Sequence, residues 1–168
     1  TYFDQLLRPT ILGLLASADY KEVVEMCTQL FAKATENDDI EPQLRTSPPS
    51  VAVKRNIEID PDARGVVFST VARHGNDATF NKLLRLYHST DLSEEKLTFA
   101  AALTDFKQPH LIEKALALIK TDSVRLQDVG YWLAYSFMNH DARSTTWQWL
   151  KQNWQWLHDN LGTDLSFY

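Results

Sequence analysis

Five histidines, at positions 74, 88, 110, 140 and 158, are the obvious candidates for metal chemistry, but their spacing does not suit it. No two lie three to five residues apart and none is followed by Glu. The helix-borne pair H-E-x-x-H, which puts two imidazoles on one face and a carboxylate beside the attacking water, is therefore missing. The lone cysteine, Cys27, sits in the apolar run Val23, Val24, Cys27, Leu30, Phe31, where it reads as a small buried hydrophobe. There is no G-x-S-x-G elbow, no phosphate-binding glycine loop and no cysteine cluster. We assign no catalytic residue and no metal ligand to the chain.

Three other groups carry chemistry. Arg125, Gln127 and Asp128 stand beside Val124 at a predicted helix entrance, where Asp128 suits the helix dipole and Gln127 a free backbone group. His74-Gly75 reads as a helix end, with Gly tolerating a left-handed conformation and His placed at the negative pole. Trp147, Leu150, Trp154 and Leu157 fall on one helical face, with Trp149, Asn153 and Trp156 on the next strip. So wide a stripe predicts packing against a neighbouring element; a platform for aromatic or sugar rings is the sharper alternative.

The elements that must position these groups are helical. Hydrophobic residues make up 44% and charged residues 23%, and five Gly with six Pro are too few for the turns of a sheet protein. A formal charge of -5 leaves no positive field for phosphates, so nucleic acid is not an expected partner. No apolar run is long enough for a membrane span, and the unpaired cysteine suits a reducing, cytoplasmic setting.

The first helix runs from about Tyr2 to Ala16, with Phe3, Leu6, Leu7, Ile11, Leu14 and Leu15 on one side and an interruption at Pro9. The second opens at Asp19, an N-cap forming a capping box with Glu22, and ends near Ala34. Residues 1–34 thus read as one antiparallel pair. Residues 35–59, with Pro42 and Ser47-Pro48-Pro49-Ser50, lose the period and read as a long insertion or loop. Beyond it helix starts recur about every 32 residues: Asp60-Pro61, Ser93-Glu94-Glu95 and Arg125 to Asp128 in one series, Asn76-Asp77, Gln108-Pro109 and Asn139 to Asp141 in the other.

Residues 60–168 therefore read as three helix-pair repeats, and the whole chain as one all-α domain, an α-α superhelix of HEAT-like antiparallel pairs. Val66, Val67, Val71 and Leu83, Leu84, Leu86, Tyr87 should form the first repeat's inner faces. Leu97, Phe99, Ala102, Leu103 and Leu111, Ile112, Leu116, Ile119 should form the second's. Both termini read as cuts in a longer polypeptide, a truncated solenoid whose end at Tyr168 leaves one face uncovered.

The succession Ile59 to Arg64, His74-Gly75, Leu83 to Tyr87, Glu95-Lys96, Ala101-Ala102-Leu103 and Gln127-Asp128 resembles the C-terminal domain of the aminopeptidase N family of zinc peptidases. So do Asn139, Trp147 to Lys151 and Asn153-Trp154. The bacterial form of that domain is the most similar, also through Leu161 to Phe167. The stretch 35–59 is longer than the family's usual connection. The resemblance implies a non-catalytic domain that closes over the active-site chamber of the catalytic domain of the same polypeptide, the zinc belonging to that domain. The intact enzyme would remove N-terminal residues from peptides. On a concave face, Arg125 and Gln127 would hold peptide carbonyls or the C-terminal carboxylate of the substrate. The alternatives are a stand-alone HEAT-like scaffold for a partner protein and a small-ligand site between helices.

Overall fold

A Schellman turn at Asp19 settles how the chain begins. In the computed structural model, which describes residues 2–36 and 59–162, α1 spans Tyr2–Ser17. The amide of Tyr20 donates to Leu15 O at 3.0 Å and that of Asp19 to Ala16 O at 3.0 Å. These are the two bonds that finish a helix when the residue after its cap turns left-handed. Asp19 is that residue, with φ of 55°, a conformation a short polar side chain tolerates. The expected capping box is therefore wrong: Asp19 ends α1, and α2 (Lys21–Thr35) starts behind Tyr20 with no side-chain cap.

Pro9 does not interrupt α1, which runs through it. Nor does the expected apolar side of α1 turn inward at three of its described positions, although Leu15 is half-buried. Leu7, Ile11 and Leu14 are 52%, 50% and 66% exposed, while Ala16 is buried. On α2 the period holds, with Val23, Cys27 and Phe31 buried. Phe31 meets Phe68 of α3 (Pro61–His74) edge to face, the ring centroids 6.0 Å apart. Asp60 caps α3 by accepting the Asp62 amide at 3.2 Å, with Pro61 in the first turn, where its missing N–H costs nothing. The stretch expected to be a long insertion lies, over 37–58, outside the described residues, as does the segment after Gly162.

All regular structure among the described residues is helical, as the sequence predicts. It divides into two compact units, Thr1–Val71 and Ala72–Tyr168. In the second, α4 (Asp77–Ser89) packs on α5 (Ser93–Leu103), which packs on α7 (Val129–Met138). Helix α8 (Arg143–Gln152) packs on α7 and on α6 (Pro109–Leu118), and α9 (Trp154–Leu161) follows it. The short connections return the chain at each step, which gives the paired layers of a helical repeat.

The apolar positions expected inside are largely inside. Phe99, Ala102, Leu103, Leu111, Ile112, Leu116 and Ile119 are buried, as are Leu83, Leu86 and Tyr87. Leu84 and Leu97 are half-buried. Phe80 and Phe106, both fully buried, join α4 to the α5–α6 turn with centroids 5.3 Å apart.

The repeat period is written in the hydrogen bonds. Gln108 Nε2 donates to Gly75 O, 33 residues earlier, at 2.8 Å. His110 meets Asp77 at 3.0 Å and Lys114 Nζ donates to Asn81 at 2.9 Å, each across 33 residues. Asn139, buried, donates from Nδ2 to Thr104 O at 2.9 Å and to Phe106 O at 2.8 Å. The last carbonyls of a helix lack intrahelical partners. Here a side chain from the next repeat supplies one. Gly75 does not take the left-handed conformation expected of it; its carbonyl is the feature the neighbour uses.

Candidate functional site

The chain enters α7 through a tight turn. Val124 is buried, Arg125 is extended at φ -66° and ψ 141°, and Leu126–Asp128 form one 3-10 turn closed by the Asp128 amide on Arg125 O at 2.8 Å. Asp128 does not cap α7, as its place in the sequence suggests; its side chain turns inward and is 6% exposed. There it accepts Arg125 Nε at 2.7 Å. A buried carboxylate needs such a partner. The contact also raises the Arg125 pKa.

Of the two residues assigned to substrate, Arg125 is thus already committed. Its Nη1 donates to Ser93 Oγ at 3.3 Å, one repeat back, and its Nη2 is buried with no hydrogen-bond partner. Gln127 is exposed and has no hydrogen-bond partner among the described residues. The structure brings the two onto one turn in different roles, Arg125 bracing it and Gln127 facing outward.

Beneath the turn lies an aromatic floor. Tyr87 and Trp132, both buried, meet at right angles with centroids 5.6 Å apart. The Tyr87 hydroxyl donates to Ser123 O at 3.0 Å, fixing the start of the turn. Burial, and then the nearby Asp128 charge, raise the Tyr87 pKa. Lys96 Nζ lies 4.5 Å from the Tyr87 ring centre and donates to Tyr87 O at 3.2 Å. Such a cation over a ring adds to the packing.

Outward of this floor, Gln127 opens a row that the sequence reading missed. Tyr131, Ala134, Tyr135 and Met138 follow at helical spacing on the outer side of α7. Tyr131 is 51% and Met138 74% exposed, and the two tyrosine rings lie 6.3 Å apart. Tyr135, between Tyr131 and Met138, is half-buried. Apolar groups exposed together on one face can serve as a contact surface.

The tryptophan stripe is not the continuous packed helix expected. Asn153, at φ -110° and ψ 14°, breaks it into α8 and α9. Its Nδ2 donates back to Trp149 O at 2.8 Å, and its Oδ1 accepts Lys120 Nζ at 2.9 Å from one repeat earlier. Leu157 is buried, but Trp147 and Trp154 are 52% and 58% exposed. Among the described residues no group of three or more His, Cys, Asp or Glu could hold a metal ion. No described helix is long and apolar enough to cross a membrane.

The family model of the ERAP1-like C-terminal domain matches residues 1–167. The chain belongs to that family. Aminopeptidase 2 of Candida albicans is 25% identical over 167 residues, 99% of this chain but 16% of that protein. Aminopeptidase M1 of Arabidopsis thaliana is 26% identical over 166 residues, 97% of this chain and 17% of that protein. Aminopeptidase N of Lactococcus lactis is 26% identical over 167 residues, 98% of this chain and 17% of that protein. The chain thus spans about a sixth of the length of these relatives. As an ERAP1-like C-terminal domain it brings no metal-binding set of its own among the described residues.

Proposed function

We propose that this domain belongs to a zinc-dependent aminopeptidase, a hydrolase that removes N-terminal amino acids from peptides, and that it caps the active-site chamber and contacts the peptide. The reading rests on the row of exposed Gln127, Tyr131 and Met138 with half-buried Tyr135, set on a turn that Arg125 and Asp128 brace, in a domain of this family. A carboxamide can pair with peptide carbonyls and amides, while tyrosine and methionine offer adaptable apolar contact. Gln127 is the direct contact. Arg125 holds the turn through Asp128 and Ser93.

The zinc belongs to the catalytic domain of the same polypeptide, which is also the docking partner. The exposed face of α1, Leu7, Ile11 and Leu14, supports such docking. We take residues 1–34, 35–59 and 60–168 together as one HEAT-like domain of a larger chain, because the family match runs across all of them. We place the parent enzyme among the bacterial, cytoplasmic forms. The free, buried Cys27 fits a reducing compartment, and the Lactococcus lactis protein is a bacterial relative at an identity equal to that of the plant one.

The test is kinetic. In the parent enzyme, Gln127→Ala and Tyr131→Ala should raise KM for peptides several residues long and leave a chromogenic aminoacyl substrate unaffected, because only the longer substrate reaches this surface. Equal effects on both substrates, or none on either, would remove this surface from substrate binding. Activity of the isolated 168-residue chain, persisting in chelator, would overturn the non-catalytic role.

A further inference from the structure

The first compact unit holds a cavity of about 430 Å³ that no part of the proposed function uses. Leu12 of α1, Met26 and Leu30 of α2 and Val66 of α3 form its apolar floor. Its rim is charged, with Arg8 on one side and Asp60 and Asp62 at the start of α3 on the other, all three exposed. Asp60 keeps one oxygen on the Asp62 backbone amide at 3.2 Å, which holds the Asp60 carboxylate at the head of the helix, with the exposed Asp62 carboxylate in its first turn.

The volume exceeds what packing defects reach. An engineered void of about 150 Å³ already binds benzene, and sites for small ligands start at about 300 Å³. The rim decides the kind of ligand. A plain anion meets two carboxylates, and a plain cation meets a guanidinium. A wholly apolar molecule fits the floor but forfeits the rim. A molecule carrying both charges and one apolar group satisfies every wall.

We propose that this cavity binds a zwitterionic apolar amino acid, or a dipeptide of the same chemistry. Its carboxylate pairs with Arg8, its ammonium with Asp60 and Asp62, and its side chain rests on Leu12, Met26, Leu30 and Val66. The site does not depend on the peptidase reading, since it lies on a different compact unit from the Gln127 row and its ligand can be tested without any substrate being turned over.

Titration calorimetry of the 168-residue chain with L-leucine, L-phenylalanine and leucyl-leucine tests it, with N-acetyl-leucine and leucinamide as blocked controls. Saturable binding should appear at micromolar to millimolar concentration for a zwitterion. The amino acids and the dipeptide compete for one site, and their ratio of affinities identifies the better ligand. Blocking either charge should weaken binding at least about tenfold, as should Arg8→Gln. Arg8 is exposed, so its replacement leaves the helices intact, as circular dichroism should show. Ala63→Trp, which fills the cavity from α3, should abolish binding. Absence of binding by all three zwitterions, equal binding of leucine and its blocked forms, or undiminished binding to Arg8→Gln would overturn the proposal.

Discussion

Replacing Asn139 by alanine should destabilise the second compact unit by about 3 kcal/mol. Asn139 is 3% exposed and its amide serves two carbonyls of the preceding repeat, Thr104 O at 2.9 Å and Phe106 O at 2.8 Å, while its Oδ1 accepts the Asp141 amide at 3.0 Å. Truncation strands two acceptors, one at the cap of α5 and one in the α5–α6 turn, each costing about 1 to 1.5 kcal/mol, and loosens the turn into α8 by a few tenths more. With a urea slope of about 1.5 kcal/mol per molar, the midpoint should fall by about 2 M. All five tryptophans lie between residues 132 and 156, so their fluorescence follows this unit alone. Asn139→Asp sharpens the test, because it keeps the shape but points an oxygen at both carbonyls. Its carboxyl pKa is raised in the folded state, so its proton stabilises the fold at low pH and that stabilisation disappears as pH rises through the folded value. The aspartate variant should therefore be less stable than alanine at pH 7 and more stable near pH 4. A midpoint for Asn139→Ala within about 0.3 M of the parent, or an Asn139→Asp variant indifferent to pH, would refute the role of this amide as the tie between repeats.

Gln108 ties the preceding repeats through one bond only, to Gly75 O at 2.8 Å, and its buried Oε1 has no partner. Gln108→Met should accordingly cost about 1 kcal/mol by the same urea measurement, well below the Asn139 value. Asp105 pairs with Arg73 at 3.1 Å, yet burial raises its pKa more than Arg73 lowers it. The sign follows: the proton on Asp105 stabilises the fold below its unfolded value of about 3.9 and that contribution is lost as pH rises through the raised folded value. The stability of the native chain relative to Asp105→Asn should thus fall between acid and neutral pH. Cys27 is fully buried and burial raises its thiol pKa, so iodoacetamide should label it about two orders of magnitude more slowly than in urea-unfolded chain. Gly65, exposed in α3, has open space where a Cβ would go, so Gly65→Ala should raise stability by about 0.5 to 1 kcal/mol in thermal unfolding.

The repeat was legible because its markers are local. Proline fits the first turns of α3 and α6, Asn76 accepts the amides of Ala78 and Thr79 at 3.0 and 3.2 Å, and these signals depend on a few adjacent residues. The misreadings arise where one residue type serves two ends. Asp19 has the composition of an N-cap and the conformation of a C-terminal stop, because aspartate suits both. Likewise a Pro inside α1 breaks helices in general, but only one bond is lost and the helix continues.

The candidate surface was hidden for a different reason. The segment Val129–Met138, VGYWLAYSFM, is apolar on nearly every side, so a hydrophobic period cannot say which face packs. Only the fold separates them: Trp132 and Leu133 go inward, Tyr131 and Met138 outward. Arg125 and Gln127 illustrate the converse. Adjacent polar residues at a helix entrance could share one ligand as far as spacing goes, but the buried Asp128 claims the guanidinium and leaves the carboxamide free. A buried charge must be met before a distant ligand is. The guanidinium is therefore spent on bracing the turn, while the carboxamide and the row of side chains that follows it on α7 stay toward the surface, a division that spacing alone does not reveal.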